Sequence, residues 1–149
     1  MNVIVVGVDQ SEGAKAALVF AHEEARLRHA TLRAVHAWQF GYIGYSGLEG
    51  AVPTMGGDIR DLREAATATL EATVRDALPD PGDVTVEQRV VEGAPGAVLV
   101  DESQNADLLV VGSRGHGGFA QLLLGSVSQQ CAQHAACPVV IVRPKQPSR

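Results

Sequence analysis

The sequence predicts an α/β fold: a single doubly wound, parallel five-stranded sheet in the order 3-2-1-4-5, with helices on both faces. Three observations predict it. Apolar runs at residues 3–8, 108–111 and 138–143 lack a polar face, as strands covered on both sides do. Segments with helical spacing separate them, and alternation of strand and helix means parallel pairing through right-handed crossovers. Glycines and hydroxyls gather just past two of the strands, and such sheets bind ligands beyond the carboxyl ends of their strands, where the winding reverses.

The first strand, Val3-Ile-Val-Val-Gly-Val8, ends on Gly7 and Asp9. Ser11 is a suitable N-cap, and Ala14, Ala17, Leu18, Ala21 and Ala25 fall on one face of the helix after it. Residues 32–38 form the second strand. Residues 39–58 are glycine-rich without a sustained period, and a loop of that length in a compact domain serves as a lid, a binding loop or an insertion. A second helix spans about 59–78, with Leu62, Ala66, Leu70, Val74 and Leu78 roughly on one stripe, and Pro79-Asp-Pro-Gly82 stops it. Residues 84–91 alternate as a strand at or near an edge. Gly93-Ala-Pro95 opens a third helix, with the proline in the first turn, where its missing N–H does no harm, and Val98, Leu99 and Val100 inside. Leu108–Val111 is the fourth strand, about 126–135 the fourth helix and 138–143 the fifth strand. The domain is expected to fill residues 1–144, with 145–149 a polar tail. No internal repeat or interdomain linker is present.

The bulk numbers suit one globular unit. The chain has 149 residues, 46% hydrophobic and 19% charged. A formal net charge of −5 argues against nucleic acid or an anionic membrane as partner, since both want basic surface. Cys131 and Cys137 are too few for a disulfide framework and not spaced as a zinc pair, which leaves small buried hydrophobes or a redox role. No basic segment precedes the first apolar run, and no run reaches the roughly 18 residues of a membrane span. A soluble, cytoplasmic protein is expected.

The chemistry concentrates in residues 107–128. A buried strand breaks into Gly112, Gly115, Gly117 and Gly118, and Gly125-Ser126-Val127-Ser128 follows a short apolar stretch. Clustered glycines bare backbone N–H groups, and a helix start adds unpaired amides and the positive end of a dipole, so this is a phosphate cradle in outline. A plain surface turn is the alternative. Gly125 is likewise open to two readings: a close contact inside one long helix over 119–136, or a helix restart that turns Ser126, Ser128 and the Val127 amide toward phosphate. Asp9 is either a first-turn carboxylate or a ligand to ribose or Mg²⁺. Arg114 is a solvated charge or a phosphate partner, and His116 reads as exposed rather than catalytic.

Several chemistries are excluded. There is no Gly-x-x-x-x-Gly-Lys-Ser/Thr, so no P-loop lysine. The run from Gly112 to Gly117 is not the Gly-x-Gly-x-x-Gly dinucleotide fingerprint and does not follow the first strand. No Gly-x-Ser-x-Gly elbow occurs, and His22, His29, His36, His116 and His134 show no metal-ligand grouping. A phosphate site without an evident base suggests binding more than turnover.

Gly112, Gly115, Gly125 and Ser126 follow the pattern Gly, two residues, Gly, nine residues, Gly, Ser without a gap. The flanks are Val-Gly-Val-Asp9, Ala-Val35-His-Ala, Gly93-x-Pro95, Ala106-Asp-Leu-Leu-Val-Val and Cys137-Pro-Val-Val-Ile-Val. In these residues the chain resembles the ATP-binding subclass of the universal stress protein family over nearly its whole length. The resemblance implies the same five-stranded sheet and ATP as ligand. Val35 would meet adenine through its backbone, and Gly7 and Asp9 would line the nucleoside. Gly112, Ser113, Arg114, Gly115, His116, Gly117, Gly118, Gly125, Ser126, Val127 and Ser128 would hold the phosphates. It implies a homodimer through strand 138–143 and a stress-response or regulatory role with little or no catalysis. A slow ATPase or nucleotidyl-transferring enzyme, and an interaction module without nucleotide, are the rival readings.

Overall fold

The computed structural model describes residues 2–9, 11–39, 59–113 and 124–144. In chain order the elements are β1 (Val3–Gly7), α1 (Glu12–Arg28), β2 (Thr31–Trp38), α2 (Ile59–Ala77), β3 (Val86–Glu92), α3 (Pro95–Glu102), β4 (Leu108–Gly112), α4 (Ser126–His134) and β5 (Val139–Val142). The sheet order is β3-β2-β1-β4-β5 and each neighbouring pair is parallel, as the sequence predicts.

The period-two geometry of a strand divides the core into two layers. Ile4, Val6, Val8, Leu32, Ala34, Leu108 and Val110 pack against α1 and α2. Val3, Val5, Val35, Leu109 and Val111 point the other way, against Val98 and Leu99 of α3 and Cys131 of α4. Helix α1 buries the stripe read from its sequence, Ala14, Ala17, Leu18, Ala21 and Ala25, and Gly13 with it. Small residues along that stripe bring the helix close to the sheet. The Ser11 hydroxyl caps α1 by accepting the Ala14 N–H at 3.1 Å. Helix α2 buries Ala66, Leu70 and Val74, whereas Leu62 is only half-buried.

Several strand boundaries differ from the sequence reading: β2 begins one residue earlier, at Thr31, and β4 runs one residue further, to Gly112. β3 starts at Val86 rather than Val84, because the Val84 N–H turns back to the Pro81 carbonyl at 3.4 Å. β5 shrinks to Val139–Val142, since Pro138 has no N–H to give to a ladder. β1 stops at Gly7, one residue before the end of its apolar run.

Two glycines at strand ends are packing devices. A Cβ on Gly112 would lie 3.2 Å from the backbone C and O of Gly13, so the start of α1 rests directly on the end of β4. A Cβ on Gly7 would come within 2.6 Å of Leu99 Cδ1 in α3. Helices on opposite faces thus close onto adjacent strand ends. Gly112→Val is expected to push α1 off β4 and destabilise the fold by about 1–3 kcal/mol. A urea-unfolding midpoint equal to that of the parent chain would contradict this packing.

Candidate functional site

The winding reverses between β1 and β4. Their register pairs Val6 with Val110, and continued by three residues it brings Asp9 level with Ser113. The crevice beyond these two carboxyl ends is the position where an open α/β sheet takes its ligand.

On the β4 side, Ser113 is almost wholly buried and its backbone is engaged at both ends. Its N–H donates to the Val142 carbonyl at 2.9 Å, and its own carbonyl accepts the Gly125 N–H at 2.8 Å and the Ser128 hydroxyl at 2.9 Å. These bonds bring the start of α4 to the end of β4. Gly125 is the N-cap, extended at φ −72 and ψ 170, so the helix begins at Ser126 and the one-long-helix alternative is set aside. The first helical bond runs from the Gln129 N–H to the Gly125 carbonyl at 3.0 Å. The amides of Ser126, Val127 and Ser128 precede it and find no acceptor among the described residues. No side chain caps this helix and its first turn carries no acid. Helix α1, by contrast, is capped by Ser11 and has Glu12 in its first turn. Of the two helix starts at the crevice, that of α4 is the one suited to an anion.

On the β1 side, Asp9 Oδ1 accepts both the N–H (2.8 Å) and the hydroxyl of Ser11. Asp9 is therefore not itself the cap: it holds the capping serine in a tight turn. Its Oδ2 has no partner among the described residues.

On the β2 side, Val35 is buried in the core, and its carbonyl accepts the Val8 N–H at 2.8 Å. In a parallel ladder, residues two apart bond to the same neighbouring strand. Leu32 and Trp38 bond toward the β3 side, through Thr85 and Gly93, so Val35 and Ala37 face β1. β1 has ended by then, and the Ala37 N–H and C=O have no partner among the described residues. Ala37 lies two residues past Val35, the residue the family resemblance implies. The Val8 carbonyl, which would have been next in the ladder, instead accepts from His36 Nδ1 at 2.8 Å.

The sequence pattern of the universal stress protein family matches residues 1–143. The chain belongs to the universal stress protein family. It is 36% identical over 142 residues to a universal stress protein of Mycolicibacterium smegmatis, covering 95% of this chain and 46% of that one. A Mycobacterium tuberculosis member is 34% identical over 141 residues, at 94% and 44% coverage. The chain thus spans about half the length of the curated relatives it matches. Among solved structures, the Lactobacillus plantarum universal stress protein UspA superposes with a TM-score of 0.76 at 22% identity, covering 95% and 97%, and bears on the fold alone. A universal stress protein solved in complex with cAMP has a TM-score of 0.59 at 29% identity, covering 95% and 96%.

Set against the family pattern, the structure brings Gly7, Asp9, Gly112, Ser113, Gly125, Ser126, Val127 and Ser128 to one crevice. Gly7 and Gly112 also serve packing, and Ser113 and Ser128 are buried. The Ser128 hydroxyl reaches the Gly125 carbonyl at 3.0 Å as well as that of Ser113. Ser126 is exposed and Val127 half-buried at the helix mouth. Arg114, Gly115, His116, Gly117 and Gly118 lie outside the described residues, as do residues 40–58. Ala37 and His36 also border the crevice and are not among the residues the resemblance implies. Their signal is where β1 stops, which the apolar run through Val8 conceals.

Away from the crevice, a groove of about 540 Å³ runs along α3, lined by Glu92, Asp101, Glu102, Gln130 and His134 among others. Its Glu102 is paired with Arg33 at 3.6 Å and Arg89 at 3.4 Å. Among the described residues no cluster of three or more His, Cys, Asp or Glu could hold a metal, and no helix is long and apolar enough to cross a membrane.

The cysteines divide. Cys131 is fully buried, and burial pushes its thiol up to about 11, with Cys137 nearby adding to the rise. Cys137 is only half-buried, and burial raises its thiol too. Both are free, and both favour the unreactive protonated form over the thiolate. At pH 8 Cys131 in the folded protein is expected to resist a thiol reagent that modifies it fully in urea. Stoichiometric reaction at both cysteines in the native state would contradict this burial.

Proposed function

We propose that this protein binds ATP in the crevice beyond β1 and β4 and acts as a cytoplasmic stress-response regulator with little or no turnover. The observation that carries this reading is the start of α4, held against β4 by the Ser113 carbonyl, whose first three amides have no acceptor among the described residues. Phosphate oxygens supply the acceptors these amides lack and the negative charge the dipole favours. The open Ala37 backbone offers one donor and one acceptor to the edge of a planar base, a pairing that suits adenine. The cAMP complex of a relative supports an adenine nucleotide as ligand. Asp9 Oδ2, without a partner among the described residues, would accept from a ribose hydroxyl. Mg²⁺ takes one or two carboxylates plus phosphate oxygens, so the single carboxylate of Asp9 fits an ion that arrives with the nucleotide. When bound, the ion supplies charge neutralisation for the phosphates.

The apolar edge strand β5 supports a homodimer. Val139, Val140, Ile141 and Val142 are all partly exposed in one chain, and an open apolar edge is an aggregation hazard that pairing with a twin removes.

Binding at about 100 times Kd should stabilise the fold by roughly 2.7 kcal/mol, read as a rise in Tm with ATP. Ser126→Glu separates folding from binding. A carboxylate in the first turn favours the free helix but repels phosphate, so the variant should keep its Tm without ligand and bind ATP about tenfold or more weakly. ATP affinity unchanged in Ser126→Glu rejects the helix-start site. Steady phosphate release that disappears in Asp9→Ala would replace the binding reading with an enzymatic one. For assembly, Ile141→Asp is expected to give a monomer by sedimentation where the parent chain is a dimer; a dimer in both would place the interface elsewhere.

A further inference from the structure

We infer that His36 is a positioning residue for the base: it ends the β1–β2 ladder early and keeps the Ala37 amide open. This rests on the nucleotide reading above. A parallel ladder that has just used the Val8 N–H and the Val35 carbonyl continues with the Ala37 N–H donating to the Val8 carbonyl. That bond is absent among the described residues. In its place the imidazole of His36 reaches the same carbonyl, Nδ1 to Val8 O, at 2.8 Å. A carbonyl only accepts, so Nδ1 carries the hydrogen.

The exchange has two consequences. The Val8 carbonyl is satisfied by a side chain, so ending the strand leaves no orphaned acceptor. The donor that would have satisfied it, the Ala37 N–H, is left at the crevice edge, and neither it nor the Ala37 carbonyl has a partner among the described residues. The same bond fixes the peptide between Val8 and Asp9, and so the entry to the turn in which Asp9 holds Ser11. His36 contacts no ligand in this account. It acts through Val8, on what Ala37 and Asp9 present.

The test uses the chain in three forms: parent, His36→Leu, which has no donor, and His36→Asn, whose Nδ2 stands near the place of Nδ1. Amide hydrogen exchange by NMR, without ligand, reads the ladder directly. In the parent and His36→Asn the Ala37 amide should exchange far faster than that of Val35. In His36→Leu it should slow about tenfold or more as it closes onto the Val8 carbonyl. Calorimetry then reads the consequence. His36→Leu should bind ATP about tenfold more weakly and lose discrimination against GTP, His36→Asn should recover both, and tripolyphosphate should bind all three alike. Should His36→Leu fail to fold, His36→Ala takes its place. Equal Ala37 protection in every form, or unchanged ATP affinity and selectivity in the variant without a donor, overturns the role given to His36. The expected exchange pattern with no ATP binding by the parent chain instead overturns the nucleotide reading and the purpose given to the open amide.

Discussion

The carbonyl of Ser113 takes two donors from the start of α4, and the rest of the site follows from that. With the Gly125 N–H and the Ser128 hydroxyl both on one oxygen, the last helix must begin beside the end of β4, pointing its amino end at the crevice. Ser113 is held from the other side by β5 through the Val142 carbonyl, so the anchor is part of the sheet rather than of a loop. Whatever path residues 114–123 take, the helix mouth is fixed relative to the strand ends. The Ser113 backbone and the Ser128 hydroxyl are taken up by this tie, while the amides of Ser126, Val127 and Ser128 have no acceptor among the described residues.

Helices pack closely from both faces at the strand ends. Gly13 against Gly112 lowers α1 onto β4, and Gly7 against Leu99 does the same for α3 on β1. Both contacts sit at the strand ends that border the site. The protein therefore places two helix starts at one crevice and treats them differently. α1 is satisfied from within by Ser11, Asp9 and Glu12, while α4 has its first-turn amides unsatisfied among the described residues. A positive dipole end without a cap is an asymmetry a polyanion can use.

Much of this was legible in the sequence. Unbroken apolar strands, the alanine stripe of α1 and the glycine pattern around β4 point to the sheet order and the switch point, because burial on two faces and helical period leave plain traces. The roles within the site were less legible. A glycine that clears space for a neighbouring side chain or backbone and one that clears space for a ligand are the same letter, so the packing of Gly7 against Leu99 and of Gly112 against Gly13 left no trace of its own. A serine after a helix-starting glycine is exposed at Ser126 and buried at Ser128, which depends on whether a carbonyl such as that of Ser113 lies within reach. The His36 bond to the Val8 carbonyl, where the ladder would have continued, was likewise not legible. Nothing in the run Val3–Val8 announces that its pairing stops at Gly7, because Val8 is as apolar as the residues before it and is still buried.

The central claim is that open backbone amides at two places, Ala37 and the start of α4, converge on one nucleotide. An ATP titration followed by ¹H–¹⁵N NMR addresses both at once. The account predicts that the Ala37, Ser126 and Val127 amides shift together along a single binding curve, while the α3 groove around Asp101 and His134 stays still. Shifts confined to that groove, or a helix mouth that moves while Ala37 does not, would contradict it.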